Sequence, residues 1–293
     1  MVVDVLLALD ALRDSGGSVN TGNTNGDTSI DVSLGVLDVG DTWVVTYDVL
    51  LTQAVRPNTA VSSTTTSLAY NSVDSTDTLD ARAYSDTAAA VTIDVPEVTI
   101  GIALSATSIS GTSDADLQVG ETATFLVTVT FPESTVHNGV LSITHDDANG
   151  KLRLESASYS SGGENTPFDP AMTGITASLT DTLFSTDGVN DHASFTLAAS
   201  QENEYDNVAN ADDTYVVAVV FEVVDDSENA ASDSIDITAT FVHDQDGDDI
   251  TATTSVTLRE PVLAISAFTV SPTEAEAGDT VTYEVSECLL PSV

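Results

Sequence analysis

One strand opening occurs four times in this chain, and it constrains the fold more than any other sequence feature. The clearest copy spans residues 119–131, where a Gly and an acidic residue lead into alternating side chains. The apolar set of this copy comprises Ala123, Phe125, Val127, Val129 and Phe131. A period of two is typical of a strand that buries one face. The phrase returns at residues 40–47, 213–217 and 278–283, so we predict repeated β units.

Composition agrees with a chain built from strands. The chain has 293 residues, which is long enough for about two domains with hydrophobic cores, and 41% of its residues are hydrophobic. Val, Ile, Ala, Thr and Ser are abundant, whereas aromatic residues make up only 5%. This balance favours strands and turns over helices. We therefore predict an all-β fold of tandem Ig-like antiparallel β-sandwich repeats.

The charge of the chain is its most unusual property. The formal net charge is −41, from 47 acidic residues and six Lys plus Arg. A field of this sign repels nucleic acid and anionic membranes, so it argues against phosphate-binding functions. It also opposes compaction unless ions screen it. The acidity therefore predicts a halophilic protein that folds in a saline environment.

The sequence gives little information about location. Cys288 is the single cysteine, so no intrachain disulfide can form. No apolar run approaches the ~20 residues of a membrane-spanning helix, so we expect no direct membrane insertion. Residues 1–10 lack a basic start and carry Asp4 in their apolar run, which predicts a strand and not a signal peptide. An extracellular or cell-surface location then requires an export signal outside this chain.

Two proline junctions divide the chain into repeats. Residues 96–100 and 261–265 each place a proline before an alternating strand, and the spacing is about 165 residues. The segments before both prolines run strand, polar loop, further strand. We therefore predict the C-terminal part of a repeat in residues 1–95, a complete Ig-like repeat in residues 96–260 and the truncated start of another in residues 261–293.

Two hairpins are predicted within the complete repeat. Residues 141–145 and 151–155 alternate on either side of an Asn-Gly dipeptide at 149–150, which is typical of tight β-turns. Residues 234–242 and 250–258 flank an acidic loop. We expect the two strands of each pair to be neighbours in one sheet.

The phrase near residue 280 resembles a known family. Its residues are Ala277, Gly278, Asp279, Thr280, Val281, Thr282, Tyr283, Glu284 and Val285, with Glu260, Pro261, Val262 and Leu263 upstream. This stretch is similar to the prokaryotic surface-protein repeat of unknown function, which opens a strand with Gly-Asp-Thr-Val-Thr-Tyr. The resemblance implies Ig-like sandwiches in tandem on a very large exported protein, with a stalk or adhesin role.

The acidic loop after residue 242 is the sharpest candidate for a metal site. Carboxylates at alternate positions around a Gly can converge on one hard cation, and Ca²⁺ takes about six to eight oxygen ligands. The predicted ligands are Asp244, Asp246, Asp248 and Asp249. The loop lacks the length and the distal Glu of an EF-hand, so other oxygens would have to complete the site. The alternative is a solvated acidic turn.

The other notable residues have structural interpretations. The four histidines lack the ligand spacing of a zinc site, and no nucleophile elbow occurs, so no catalytic residue is predicted. Lys151, the single lysine, follows a turn and is expected to be exposed. The aromatic residues expected in cores are Trp43, Tyr47, Phe125, Tyr215, Phe221 and Tyr283.

Together these features predict a non-catalytic structural or adhesive segment of a large exported protein. Its repeats would act as spacers stiffened by calcium, with neighbouring repeats and surface glycans or other surface proteins as partners. One alternative is a carbohydrate- or ligand-binding accessory module of a secreted enzyme, which exposed coplanar aromatic residues would mark. Another is a filament or capsid-type subunit that assembles by strand complementation.

Overall fold

The structure is a computed structural model that describes most of the chain. The described residues are 3–7, 17–22, 24, 27, 29–38, 40, 42, 44–52, 54–62, 66–73, 81–109, 115–146, 150–161, 168–169, 172, 177–180, 192–203, 206, 208–225, 229–230, 232–244, 249–259 and 262–290.

Three groups of strands follow one another along the chain. The N-terminal group is β1 Val3–Leu7, β2 Ser18–Thr21, β3 Asp31–Ser33, β4 Tyr47–Leu51, β5 Ala60–Ser62, β6 Thr66–Asn71, β7 Ala83–Ala88 and β8 Thr92–Asp94. The central group is β9 Thr99–Thr107, β10 Asp116–Gln118, β11 Thr122–Thr130, β12 Thr135–His137, β13 Val140–His145, β14 Leu152–Ser161, β15 Phe168–Asp169, β16 Ala177–Thr180, β17 His192–Thr196, β18 Ser200–Asn203, β19 Thr214–Val223, β20 Ser234–Val242 and β21 Ile250–Arg259. The C-terminal pair is β22 Val262–Ser271 and β23 Thr282–Leu290.

The central group forms an Ig-like β-sandwich, which confirms the predicted fold class. One sheet has the order β14-β19-β11-β9, and the other has the order β10-β21-β20-β13-β17-β16. Numbered along the chain, the first sheet is the D-E-B-A sheet of an Ig fold, and β21-β20-β13 is the G-F-C sheet. The segment between β14 and β19 supplies β16 and β17, which extend the second sheet beyond β13.

The strand with the clearest alternation, β11, lies in the middle of this sandwich. It pairs antiparallel with β19 on one side and with β9 on the other. Its apolar face is buried, as predicted, and the core residues there are Ala123, Phe125, Val127, Val129 and Phe131. The facing residues of β19 are buried too, because that strand alternates with the same period. Two long central strands therefore supply the middle of the core.

One predicted hairpin is confirmed and the other is wrong. β20 and β21 are antiparallel neighbours, as expected for residues 234–258. β13 and β14 are not neighbours, because β13 pairs with β17 and β20 in one sheet while β14 pairs with β19 in the other. Gly150, the glycine of the Asn-Gly dipeptide, has φ +80°, and residues 147–149 lie outside the described residues. The Asn-Gly signal is local, whereas the partners of β13 and β14 are determined by the longer strands β20 and β19.

The chain enters and leaves the sandwich at opposite ends. β9 begins at Thr99, opposite Thr130, and ends at Thr107, opposite Ala123. β21 ends at Arg259, which lies opposite Gln118 in a parallel pair with β10. The Gln118 carbonyl accepts the N–H of Glu121, which directly precedes β11. Because the start of β11 lies opposite Thr107, Gln118 and its partner Arg259 lie at the Thr107 end of β9. With about 3.3 Å per residue, β9 separates the two ends by roughly 30 Å.

Burial is concentrated in the central group. Apart from Val55 and Val95, every buried hydrophobic residue among the described residues lies between Val98 and Leu258. The domain boundaries at residues 95–96 and 260–261 stay a prediction.

The flanking groups are two-stranded pairs, and most of their described side chains are exposed. The pairs are β1–β4, β2–β3, β5–β8, β6–β7 and β22–β23. All described side chains of β6 and β7 are exposed. The expectation of a core position is wrong for Tyr47 and Tyr283, which are 44% and 64% exposed. Phe125, Tyr215 and Phe221 are buried as predicted, and Trp43 lies outside the described residues.

The N-terminal group is joined to the sandwich at the Thr99 end. The Thr135 N–H donates to the Val55 carbonyl at 2.9 Å, and the Asn58 N–H donates to the Pro96 carbonyl at 3.1 Å. The Val95 N–H donates to the Thr59 carbonyl at 2.9 Å. These bonds surround the two buried valines of the junction. In the part of the chain described, no helix is long and apolar enough to cross a membrane.

Candidate functional site

The acidic residue of the repeated phrase closes a turn at the start of a strand. In the copy before β11, the Glu121 N–H donates to the Gln118 carbonyl at 2.9 Å, and the Glu121 carboxylate accepts the Gln118 N–H at 2.8 Å. Before β23, Asp279 makes the same two bonds with Glu276, at 3.0 and 2.7 Å. The phrase is therefore a structural motif, in which the carboxylate satisfies a backbone donor that would otherwise need water.

The same turn recurs before other strands. Asp213 pairs in this way with Asn210 before β19, and Asp233 pairs with Ala230 before β20. Asp27 does so with Thr24 near β3. The fourth copy of the phrase places its acid at Asp41, which lies outside the described residues. Part of the high acid content is thus used in turn formation.

A glycine with positive φ precedes two of these acids. Gly120 has φ +79° and Gly278 has φ +106°, and nothing lies within 4 Å of a Cβ built at either position. The requirement for glycine is therefore conformational and not steric, since an L-residue is disfavoured in this backbone region.

The predicted calcium ligands lie in the loop between β20 and β21, of which the structure describes only the two ends. Asp244 and Asp249 are described and exposed, whereas Asp246 and Asp248 lie outside the described residues. One Asp244 carboxylate oxygen accepts the Asn138 side-chain N–H at 2.7 Å, and the Asp244 N–H donates to the His137 carbonyl at 3.1 Å. Asp244 thus fastens the start of the loop to the turn before β13. Across the described residues, no cluster of three or more His, Cys, Asp or Glu is placed to hold a metal ion.

Lys151 is placed differently from the sequence expectation. Its side chain is only 12% exposed, and its ammonium lies 2.5 Å from an Asp233 carboxylate oxygen. Lys151 precedes β14 and Asp233 precedes β20, so this ion pair joins the two sheets of the sandwich. The expectation of an exposed lysine is wrong because Lys151, directly before β14, contacts Asp233 in the turn before β20 of the other sheet.

The two arginines of the sandwich also form ion pairs. Arg153 on β14 contacts Glu155 at 2.6 Å and also Glu222, its neighbour across the pair with β19. Arg259 at the end of β21 contacts Asp116 on β10 at 2.9 Å. In a chain of net charge −41, the basic residues of the sandwich are thus placed where strands or sheets meet.

These contacts shift the pKa of two carboxyl groups. The hydrogen bond from Lys151, together with the Ala230 N–H, holds the pKa of Asp233 below its usual value. The hydrogen bond from Arg153 lowers the pKa of Glu155. Both carboxylates therefore favour the charged form that the ion pairs require.

Two flanking hairpins carry exposed, stacked aromatic pairs. Tyr70 on β6 lies directly opposite Tyr84 on β7, with ring centroids 5.2 Å apart and an interplanar angle of 15°. These rings are 52% and 43% exposed. Phe268 on β22 stacks on Tyr283 of β23 at 5.9 Å and 13°. Such pairs stabilise a hairpin, and they also present an open ring face to a ligand.

An open groove of about 910 Å³ lies where the N-terminal group meets the sandwich. Val49, Leu50, Val55 and Pro132 contribute to its apolar wall, and acidic residues lie along it. One of the acids, Asp213, is already used, since its carboxylate accepts hydrogen bonds from Asn203 and the Asn210 backbone. The groove is thus an apolar cleft at a junction, without a converging set of reactive groups among its described residues.

Comparison with known proteins shows similarity only at the level of fold. No family model matches the sequence, and no curated protein matches it. Among solved structures, the chain is similar to a cohesin module of a Clostridium perfringens family 33 glycoside hydrolase, with 11% identity over 56% of this chain and 98% of that chain, at a TM-score of 0.32. It is also similar to a C-terminal fragment of the major pilin of Streptococcus agalactiae, with 12% identity over 58% of each chain, at a TM-score of 0.35.

A third similar structure is the fimbrial adhesin FimA of Actinomyces. The identity is 15%, the match covers 56% of this chain and 58% of that chain, and the TM-score is 0.32. Because these scores are low, the assignment of an Ig-like sandwich rests on the strand order of the chain itself.

Proposed function

We propose that this chain is a non-catalytic structural or adhesive segment of an exported cell-surface protein, in which the central sandwich acts as a spacer. The observation that carries the proposal is the position of the two chain ends of the sandwich. Thr99 and Arg259 lie at opposite ends, so consecutive units joined there extend in one direction and add length.

The ion pairs support a role under load. When the chain is pulled from both ends, β9 slides against β11, and β10 slides against β21. The hydrogen bonds of such pairs lie across the strand direction, so several must break together. The Arg259–Asp116 contact reinforces the β10–β21 pair, and the Lys151–Asp233 contact joins the sheets.

A reach assay tests the spacer function. Arrays of one, two and three copies of the full chain are placed between a surface anchor and a terminal fluorophore, and the height of the fluorophore is measured. Each added copy should raise it by at least the roughly 30 Å of one sandwich. A height that does not grow with copy number would contradict the proposal.

The proposal also includes Ca²⁺ binding that would stiffen the spacer. It rests on the acidic loop between β20 and β21, where Asp244 fixes the loop start. Thermal unfolding is compared in EDTA and in added Ca²⁺ at constant high ionic strength. A Tm that responds to NaCl but not to Ca²⁺ would remove calcium and leave charge screening alone.

The exposed tyrosine pair favours glycan binding as a second candidate function. The outer face of Tyr70 or Tyr84 could stack against a sugar ring, as coplanar aromatic residues do in carbohydrate-binding sandwiches. Glycan-array binding of the wild type is compared with Tyr70→Ala. The matched control is Tyr215→Phe, which alters a buried tyrosine instead. Equal binding by wild type and Tyr70→Ala would remove this candidate.

A further inference from the structure

Burial alternates along β19, but the composition of this strand does not. Every residue from 215 to 221 is apolar. The odd-numbered members are buried in the core, whereas Val216, Ala218 and Val220 lie on the outer face of the sheet and are half-buried. A continuous apolar run is typical of a strand that is covered on both faces. The sequence of β19 therefore predicts a cover for its outer face.

The neighbouring strands extend this apolar surface. Leu126 of β11 lies opposite Ala218 on one side and opposite Ala103 of β9 on the other. Val216 and Val220 lie on either side of this row along β19. We call the five residues Ala103, Leu126, Val216, Ala218 and Val220 the outer patch. It forms the centre of the outer face of the sheet β14-β19-β11-β9.

The sheet that carries the outer patch is almost free of charge. Its four strands contain only three charged residues, Arg153, Glu155 and Glu222. Arg153 forms ion pairs with both glutamates, so the three side chains lie together at one end of the sheet. A chain of net charge −41 thus presents one broad face without carboxylates at its centre.

The second sheet of the sandwich has a different outer face. Its outward residues on β13, β20 and β21 mostly carry hydroxyl groups, as in Ser142, Thr240 and Thr251. Thr238 and Thr253 share a hydrogen bond across the strands at 3.0 Å. Hydroxyl groups of this kind are readily hydrated, whereas the outer patch offers water no polar side-chain group. Only the first sheet therefore gains by covering its outer face.

We propose that two copies of this chain pack their outer patches face to face and form a symmetric dimer. The inference goes beyond the spacer function and does not depend on it. In such an isologous contact the same surface must fit itself. The branched side chains of Leu126 and Val216 lie beside the small residues Gly101 and Ala218, which gives the surface both ridges and recesses. Sheets that pack in this way lie about 10 Å apart with their strands within about 30°.

The area of the face is sufficient for a specific contact. Four strands at about 4.8 Å spacing and nine residues of β11 at about 3.4 Å each define a face of roughly 19 by 30 Å. Two such faces bury about 1,100 Å² in total, above the roughly 1,000 Å² expected of a specific interface.

The charge distribution favours a second copy at this face. The contact joins two uncharged surfaces, so it keeps the acidic loops of the two chains apart. The remaining repulsion between two strongly acidic chains acts over a distance, and salt screens it. Dimer formation should therefore strengthen as the NaCl concentration rises.

The mass of the full chain in solution tests the proposal. Light scattering and sedimentation equilibrium are measured over a range of protein concentrations, in low salt and at about 2 M NaCl. The buffer is reducing, so that Cys288 cannot link copies through a disulfide. The wild type should reach the mass of a dimer at high salt.

A charge placed in the centre of the outer patch should abolish the dimer. Ala218→Asp buries one unpaired carboxylate from each copy, so this variant should remain a monomer where the wild type is a dimer. The matched control is Thr240→Asp, which adds the same charge to the outer face of the other sheet and should leave the dimer intact. Thermal unfolding of both variants checks that the sandwich is folded.

Three results would overturn the proposal. They are a wild type that is monomeric at every concentration and salt level, a folded Ala218→Asp variant that still dimerises, and equal loss of the dimer in Thr240→Asp. If Ala218→Asp does not unfold cooperatively, Val220→Thr decides. This nearly isosteric change should raise the dimer Kd about tenfold, because the hydroxyl enters a symmetric contact twice. An unchanged Kd would then refute the dimer and leave the spacer function as it stands.

Discussion

The central sandwich and the C-terminal hairpin contain the same strand phrase, but its apolar face is buried in the sandwich and exposed in the hairpin. In β11 the apolar face of the phrase is buried, because β9 and β19 flank the strand and a second sheet covers it. In β23 the equivalent face is exposed, although its turn, its glycine and its pairing with β22 are the same. A strand phrase therefore determines local geometry, while burial depends on strands far away in sequence.

This difference in burial determines which region contributes most to the free energy of unfolding. Burying a large apolar side chain contributes about 1.5–3 kcal/mol, so a strand with an open face contributes little to the folded state. Two strands are also too few to form an independently stable sheet in water. We therefore expect the sandwich to unfold as one unit and the hairpin to contribute little.

Replacing the aromatic residue of the strand phrase by alanine should change the free energy of unfolding far more in the sandwich than in the hairpin. Phe125→Ala should cost about 3–5 kcal/mol, because it leaves a cavity beside Phe221 in the core. Tyr283→Ala, at the equivalent position of β23, should cost less than about 1 kcal/mol, because this ring is exposed. Denaturant unfolding of both variants measures the contrast. Similar losses would mean that the hairpin face is buried after all.

The glycine that precedes the phrase gives a smaller contrast. Gly120→Ala should destabilise the sandwich by about 1–2 kcal/mol, because alanine is disfavoured at φ +79°. Gly278→Ala should leave the main unfolding transition unchanged, since its strain falls on a hairpin outside the core. Thermal unfolding of the two variants tests this, and a loss in Gly278→Ala equal to that in Gly120→Ala would contradict it.

The buried hydroxyl of Tyr215 provides a test inside the sandwich. The ring stacks on Tyr159 at 5.6 Å, and the hydroxyl has no hydrogen-bond partner within the described residues. Burial raises the pKa of this phenol, so it stays protonated and its polar group is desolvated without compensation. Tyr215→Phe should be neutral or stabilising by up to about 1 kcal/mol. A clear loss of stability in denaturant unfolding would reveal a partner for the hydroxyl.

The ion pair between the sheets predicts a pH dependence. The pKa of Asp233 is lower in the folded state, so the stability it contributes is present above about pH 4, near its unfolded pKa, and is lost as pH falls through the folded value. Asp233→Asn retains an acceptor for the Ala230 N–H but removes the charge. The Tm difference between wild type and this variant should be constant from pH 7 to about 5 and should shrink below about 4. A difference that persists unchanged at low pH would contradict the assignment.

Local features such as alternation and one hairpin could be predicted from the sequence, whereas strand pairing and ion-pair partners distant in the chain could not. The alternation of β11 and the β20–β21 hairpin were predicted because both depend on residues close together in the chain. The partners of β13 and β14 were not, since the choice between sheets is made by long-range contacts with β19 and β20. The same limit applies to Lys151, whose partner Asp233 is 82 residues away.

The candidate sites show the same division. The repeated phrase was predicted from its alternation to open strands, but the two backbone contacts made by its acids could not be predicted from composition. The Tyr70–Tyr84 pair was missed because no local signal aligns two tyrosines across a hairpin, although their symmetric placement in β6 and β7 offered a hint. The aromatic residues Tyr47 and Tyr283 were misplaced because alternation identifies a face without showing whether anything covers it.

We expect the central sandwich to carry most of the mechanical and thermodynamic stability of this chain. Single-molecule pulling of the full chain from both ends measures this. We expect one dominant unfolding event that releases roughly 500 Å, the extended length of the chain from Val98 to Leu258 less its folded span. The force of that event should fall in Arg259→Ala, which removes the contact to Asp116. Several small events of similar force, spread along the whole chain, would show instead that the flanking strand pairs carry a comparable share of the stability.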